Sequence, residues 1–151
     1  MIIQCDSTNN YPIVSISDCV LEHIEVEKDR ILLRFDNNGI WIKYSENNEM
    51  SRVNKAIISL CGYDIGTVDI FELKKIKVLG KFYKIKKNID FNVFVDKVNS
   101  SEWRLEFVHE YYSAVGGLFI GRLLKDKNLS DLYFSINYIH SECTIDTDLE
   151  N

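Results

Sequence analysis

In the segment DCVLEHIEVE, Val20, Ile24 and Val26 alternate with Cys19, Leu21, His23 and Glu25, and this period of two runs on through the next two segments. A spacing of two sends alternate side chains to opposite faces of an extended strand, whereas a helix cannot keep such a set on one side. Lys28-Asp29 turns the chain, and RILLRF follows with Ile31, Leu33 and Phe35 opposite Arg34. Asp36-Asn37-Asn38-Gly39 then offers an Asn-Gly pair suited to the positive φ angles of a tight hairpin. Ile40, Ile42 and Tyr44 resume the alternation opposite Trp41 and Lys43, so these three strands are expected to form an antiparallel meander.

Further along, KAIISL and TVDIFEL read as short strands, the first ended by Cys61-Gly62, and residues 82 to 86 read as another behind a turn at Gly80. DFNVFVDKVNSS departs from the pattern. Its Phe91, Phe94, Val95 and Val98 follow helical spacing behind an Asp90 cap, which predicts a short helix. WRLEFVHEYY and LFIGRLL read as two long strands and DLYFSINYIHSECTI as the last one. Successive strands on short turns, with no alternating helices to make parallel crossovers, predict a mainly β fold. The expected architecture is an antiparallel β-sandwich or open barrel with at most one short helix, α+β being the adjoining class. The 151 residues are read as one domain, 1–151, able to bury roughly 70% of the surface of its unfolded chain.

Several function classes lose support from composition. An apolar fraction of 46% with 27% charge and a single proline, Pro12, is that of a soluble globular domain without long linkers. MIIQCDSTNN lacks a basic region followed by an apolar run, and no segment reaches about 18 consecutive apolar residues, so a cytoplasmic protein with no membrane contact is expected. Cys5, Cys19, Cys61 and Cys143 make no C-x-x-C pair and are expected as thiols, with Cys19, Cys61 and Cys143 packed as small apolar groups. The glycines of HEYYSAVGGLFIGRLL have neither dinucleotide nor Walker spacing; Gly116 and Gly117 are expected to supply positive φ in a hairpin loop, and Gly121 to mark a bulge or a close backbone approach.

The three histidines are His23, His109 and His140. On strands, His140 and Glu142 share a face, as do Glu106 and Glu110, but without an H-E-x-x-H or H-x-H spacing no metal is expected. G-x-S-x-G is absent too, and the chain is read as a non-enzyme without cofactors.

Charge is the feature that composition alone conceals. The net charge is −5, yet KKIKVLGKFYKIKK, residues 74 to 87, carries +7 and the remainder −12. Lysines alternating with apolar residues describe a solvated strand edge protected against pairing. The same lysines, Lys81, Lys84, Lys86 and Lys87, with Phe82 and Tyr83 between them, are the candidate contacts of an alternative, polyanion-binding reading, although the acidic remainder makes nucleic acid an unfavoured partner.

SISDCVLEHIEVEKDRILLRF resembles the opening of small uncharacterised bacterial β-domain families, some grouped with immunity proteins that bind and neutralise a toxin, and WRLEFVHEYY and GLFIGRLL are similar to the second half of such domains. Ser17, beside Asp18, stands where those families carry histidine. The resemblance implies a mostly β fold with an accessory, non-catalytic role. The first functional expectation is therefore a protein-binding module, with a bacterial immunity-type protein as the form the resemblance implies, whose acids Glu22, Glu25, Glu27 and Glu110, with Trp103 and Tyr112, meet a basic protein partner. A small apolar-ligand carrier with Phe107, Phe119 and Phe134 lining a cavity is the alternative from another class, and the charge split also permits a homo-oligomer.

Overall fold

The structure, a computed structural model, describes residues 1–5 and 11–145. In chain order the strands are β1 (Ile2–Gln4), β2 (Ile13–Ser15), β3 (Cys19–Val26), β4 (Arg30–Phe35), β5 (Ile40–Lys43), β6 (Ser51–Val53), β7 (Ala56–Cys61), β8 (Asp64–Val78) and β9 (Lys81–Asn88). The helix α1 (Phe91–Asn99) follows, and then β10 (Arg104–Ser113), β11 (Gly116–Lys125), β12 (Asn128–Asn137) and β13 (His140–Ile145). Every pairing is antiparallel, in a ten-stranded sheet of order β1-β13-β7-β4-β3-β10-β11-β12-β8-β9 and a three-stranded sheet of order β2-β5-β6. The fold is mainly β with one helix, as the alternation predicts.

The large sheet cannot be flat. Tyr138 and Ile139 alone separate β12 from β13, which stand six places apart in the sheet order. Six inter-strand steps span about 29 Å in a flat sheet, whereas the three steps from Asn137 to His140 reach about 11 Å at most. The sheet therefore folds back until its two halves face one another, while β1 and β9 remain as edges. Leu33, Ile58, Leu60, Phe107, Phe119, Phe134 and Ile136 point into the space between and are almost fully buried. DLYFSINYIHSECTI is thus two strands on opposite halves, not one, because Tyr138 and Ile139 cross from half to half with their N–H groups donating to Val115 and Cys61 carbonyls.

The fold-back runs through the β3–β10 seam, which is only three residue pairs long, from Cys19–Phe107 to Leu21–Leu105. Both strands bulge beside it, β3 at Glu22 and β10 at Val108. A bulge inserts one residue and reverses the facing of every side chain beyond it. Cys19 and Leu21 face inward before the β3 bulge and Ile24 after it, so Val20 and Val26 are not core partners of Ile24 as the plain alternation suggested. Above the seam β3 has left β10, and Asn99 of the helix takes up its backbone: the Ile24 N–H donates to Asn99 Oδ1 at 2.7 Å and Asn99 Nδ2 donates to the Ile24 carbonyl at 2.8 Å. Asp90 caps the other end of the helix, accepting from the Asn92 and Val93 amides, while Phe94 and Val98 bury its apolar stripe.

The meander expected over residues 18–44 stops at two strands. β5 pairs with β2 and β6 instead of β4. Gly39 makes the corner: its φ is +66°, and a Cβ there would lie 1.9 Å from the Val53 carbonyl oxygen. Gly116 and Gly117 also differ from expectation. Neither has positive φ; they begin β11, and Ala114-Val115 forms the turn. Gly121 does mark a close approach, beside the β10 bulge, with Glu106 O 2.8 Å from a Cβ. Among the cysteines, Cys5, Cys19 and Cys143 are buried thiols, whereas Cys61 is half-buried. Burial pushes the Cys19 thiol up to about 11 and that of Cys143 up to about 12.

Comparing Gly39 with Gly80 separates strain from crowding, since both have positive φ but a Cβ at Gly80 (φ +79°) would meet nothing within 4 Å. Gly39→Ala is expected to destabilise the fold by about 2–4 kcal/mol, and Gly80→Ala by about 1 kcal/mol, as read from chemical denaturation midpoints.

Candidate functional site

The ladder between β8 and β12 runs only from Asp64 to Leu73. From Lys74 onward β8 pairs with β9 alone, so Lys74–Val78 and Lys81–Ile85 form a two-stranded ribbon that extends beyond the sheet by about 16 Å, five residues at strand rise. Leu79 and Gly80 make its tip, and Leu79 is 99% exposed. All of β9 is exposed.

Cross-strand partners share a face, and this sorts the ribbon into two different surfaces. Lys75 with Lys84, Lys77 with Phe82, and Leu73 with Lys86 make one face. Lys74 with Ile85, Ile76 with Tyr83, and Val78 with Lys81 make the other. The first is a lysine face; the second is mostly apolar, with lysines at its root and tip. Of the four lysines singled out from sequence, Lys84 and Lys86 therefore belong to the lysine face, while Lys81 and Lys87 point to the opposite side. Lys86 Nζ lies 4.1 Å from the Phe71 ring centroid and Lys77 Nζ 5.6 Å from that of Phe82, and Phe71 itself stacks on Tyr133 at 4.8 Å. Among the described residues, Lys75, Lys77, Lys81, Lys84, Lys86 and Lys87 form no ion pair.

At the ribbon's root sits a residue that the sequence reading passed over. Glu72 is fully buried; Lys125 Nζ donates to it at 2.6 Å and Ser130 Oγ at 2.7 Å, with Lys74 Nζ 3.6 Å away. Lys125 also lies 4.8 Å over the Trp103 ring. Burial works to raise the Glu72 carboxyl, but the hydrogen bonds from Lys125 and Ser130 and the two ammonium charges outweigh it and hold the group below the ordinary glutamate range. The signal was present in TVDIFEL, where Glu72 follows Val68 and Ile70 on an inward-facing parity.

The residues expected to receive a basic partner fall into different surroundings. Glu110 and Tyr112 lie beyond the Val108 bulge, which turns them inward: Glu110 pairs with buried Phe119 in the ladder and accepts the Ile16 N–H at 2.8 Å, and the Tyr112 ring meets Phe119 edge-on at 5.9 Å. Burial raises the carboxyl of Glu110 and, with Glu110 beside it, the Tyr112 phenol well above its usual value. The same bulge parts Glu106 from Glu110, which do not share a face, and Glu106 pairs outward with Arg122 at 3.2 Å. Glu25 and Glu27 are held by Arg34 at 3.0 Å and Arg30 at 2.5 Å. Glu22, exposed at its bulge, and half-buried Trp103 do come together, in a shallow cleft of about 260 Å³ with Val98 and Arg104.

Phe107, Phe119 and Phe134, expected around a ligand cavity, instead fill the interior. Their neighbouring centroids are 5.7–5.8 Å apart, and Phe94 adds a fourth ring 5.8 Å from Phe134. Among the described residues, no helix is long and apolar enough to cross a membrane. His140 and Glu142 do share a face, and Cys61 joins them from β7. No protein-family model, curated protein or solved structure matches this chain.

Because Glu72 and Lys125 are desolvated together, Glu72→Gln is expected to cost about 3 kcal/mol of stability, whereas Glu72→Leu combined with Lys125→Met should recover most of it. The depressed carboxyl makes its contribution at neutral pH and loses it as pH falls through the folded-state value. Acid unfolding followed by circular dichroism should accordingly be steeper in the native chain than in the double variant.

Proposed function

We propose that the protein is a non-catalytic binding module that seats an acidic protein partner on the β8–β9 ribbon. The observation that carries the reading is the ribbon's double character. Among the described residues its lysines other than Lys74 are without counter-ions, and Lys75 and Lys84 face each other directly, an arrangement unfavourable in the free chain that a partner's carboxylates would relieve. Beside them Val78, Leu79, Tyr83 and Ile85 are all more than 40% exposed. A contiguous apolar surface has no use against a phosphate ladder, but it is what the desolvated centre of a protein interface requires, with charge at its rim. A binding role without catalysis is also what the strand-pattern resemblance to immunity-type domains implies.

The contacts thereby move from the acids to the lysines, since Glu110 and Tyr112 are turned inward and half-buried and Glu25 and Glu27 already have arginine partners. Steering by the +7 charge of residues 74 to 87 speeds encounter with an acidic surface and loses that advantage as salt rises.

Two variants test the reading against its nearest competitor. One reverses Lys75, Lys77, Lys84 and Lys86 to Glu; the other changes Tyr83 and Ile85 to Asp and keeps every lysine. Affinity for a captured partner should fall roughly tenfold or more in each. Retention on single-stranded or duplex DNA that is lost in the first variant and kept in the second would instead identify a polyanion site. Affinity unchanged in both variants removes the ribbon from the interface.

A further inference from the structure

We propose that Cys61, His140 and Glu142 form a three-ligand site for one zinc-type divalent cation, on the outer face of the sheet. His140 and Glu142 are two residues apart on β13 and point the same way, since Ser141 and Cys143 between and beyond them are buried. Cys61 is the direct cross-strand partner of His140 in β7. The sheet thus supplies a thiol, an imidazole and a carboxylate from adjacent backbone positions, and their ligating atoms all lie within 4.8 Å of one another.

The spacing suits a small tetrahedral ion. With bonds of about 2.0 Å to nitrogen and oxygen and about 2.3 Å to sulfur, neighbouring donors in such a site stand roughly 3.3–3.6 Å apart. His140 Nε2 and Glu142 Oε1 are already at 3.2 Å. The remaining gaps close by side-chain rotation on a rigid backbone, the circumstance in which a site is most accurately held. Sulfur and imidazole together select a borderline-soft ion over magnesium or calcium, which prefer all-oxygen shells. All three residues are half-buried, so the fourth position opens to solvent for water or an exogenous ligand. Binding displaces the thiol proton to solvent and leaves a thiolate–metal bond, with no change of oxidation state. Arg30, across from Cys61, has its charge balanced by Glu27 at 2.5 Å.

The full chain, reduced, would be titrated with zinc chloride by calorimetry and with cobalt(II) by absorption. The expected result is one zinc per chain, a thiolate-to-cobalt charge-transfer band, and a rise in melting temperature with added zinc. Cys61→Ser should abolish the band, while His140→Gln and Glu142→Gln should each weaken zinc binding at least about tenfold, all three without lowering the melting temperature of the metal-free protein by more than a few degrees. Absence of stoichiometric binding at micromolar zinc would overturn the proposal and leave His140 and Glu142 as a surface ion pair. Persistence of the cobalt band in Cys61→Ser would overturn it as well, by placing the metal on another thiol.

Discussion

A ten-stranded sheet with one apolar face has to cover that face, and here the cover is the sheet itself. The four rings of Phe94, Phe107, Phe119 and Phe134 form a chain of tilted contacts at 5.7–5.8 Å through the interior. Three belong to neighbouring strands and one to the helix, so the helix closes over the same row of rings that the strands present. Tilted aromatic pairs of this kind add to what area burial alone contributes. With the rings filling the space, the two-residue crossing at Tyr138 and Ile139 becomes possible, and it in turn brings β13 opposite β12.

Folding back requires the strands to turn their twist into curvature, and the adjacent bulges at Glu22 and Val108 supply it. Their second effect is on side-chain address. Each reverses the facing of everything beyond it, so that Ile24 rejoins the core and Glu110, half-buried, turns toward it. A carboxylate inside is costly unless its oxygens are bonded. The Ile16 amide, directly after β2 of the small sheet, bonds Glu110 and so ties that sheet to the large one.

What was legible in the sequence was local. Alternation located the longer strands but not the three-residue β1, β2 and β6, Asp90 and the Phe91–Val98 spacing located the helix, and the lysine run located the ribbon, because each depends on neighbours a few residues away. What was not legible depended on a single inserted residue or on distant backbone. The facing of Glu110 and Tyr112 hinges on Val108 having no partner across the ladder, which LEFVHEYY does not reveal. Asn38-Gly39 looks like a hairpin turn, and only the proximity of the Val53 carbonyl makes it a corner between sheets. The grouping of Cys61 with His140 required the β7–β13 register, fixed by strands nearly eighty residues apart in the chain.

Glu72 links this architecture to the ribbon. A buried ion pair adds little net stability compared with apolar residues of the same shape, but it is severe on misplacement. A slip of one residue in β8 would turn Glu72 outward and leave Lys125, whose side chain is only 13% exposed, without its carboxylate. The same slip would exchange the ribbon's faces, sending Lys75 and Lys77 to the side now held by Ile76 and Val78. The residues that face a partner are thus indexed by a charge at the root of the ribbon. The fully desolvated carboxylate stands at the last stretch where β8 is still paired on both sides, with Leu132 of β12 opposite it on one edge and Lys87 of β9 on the other. Beyond that point only β9 holds the strand, and the separation of lysine face from apolar face depends on the register set there.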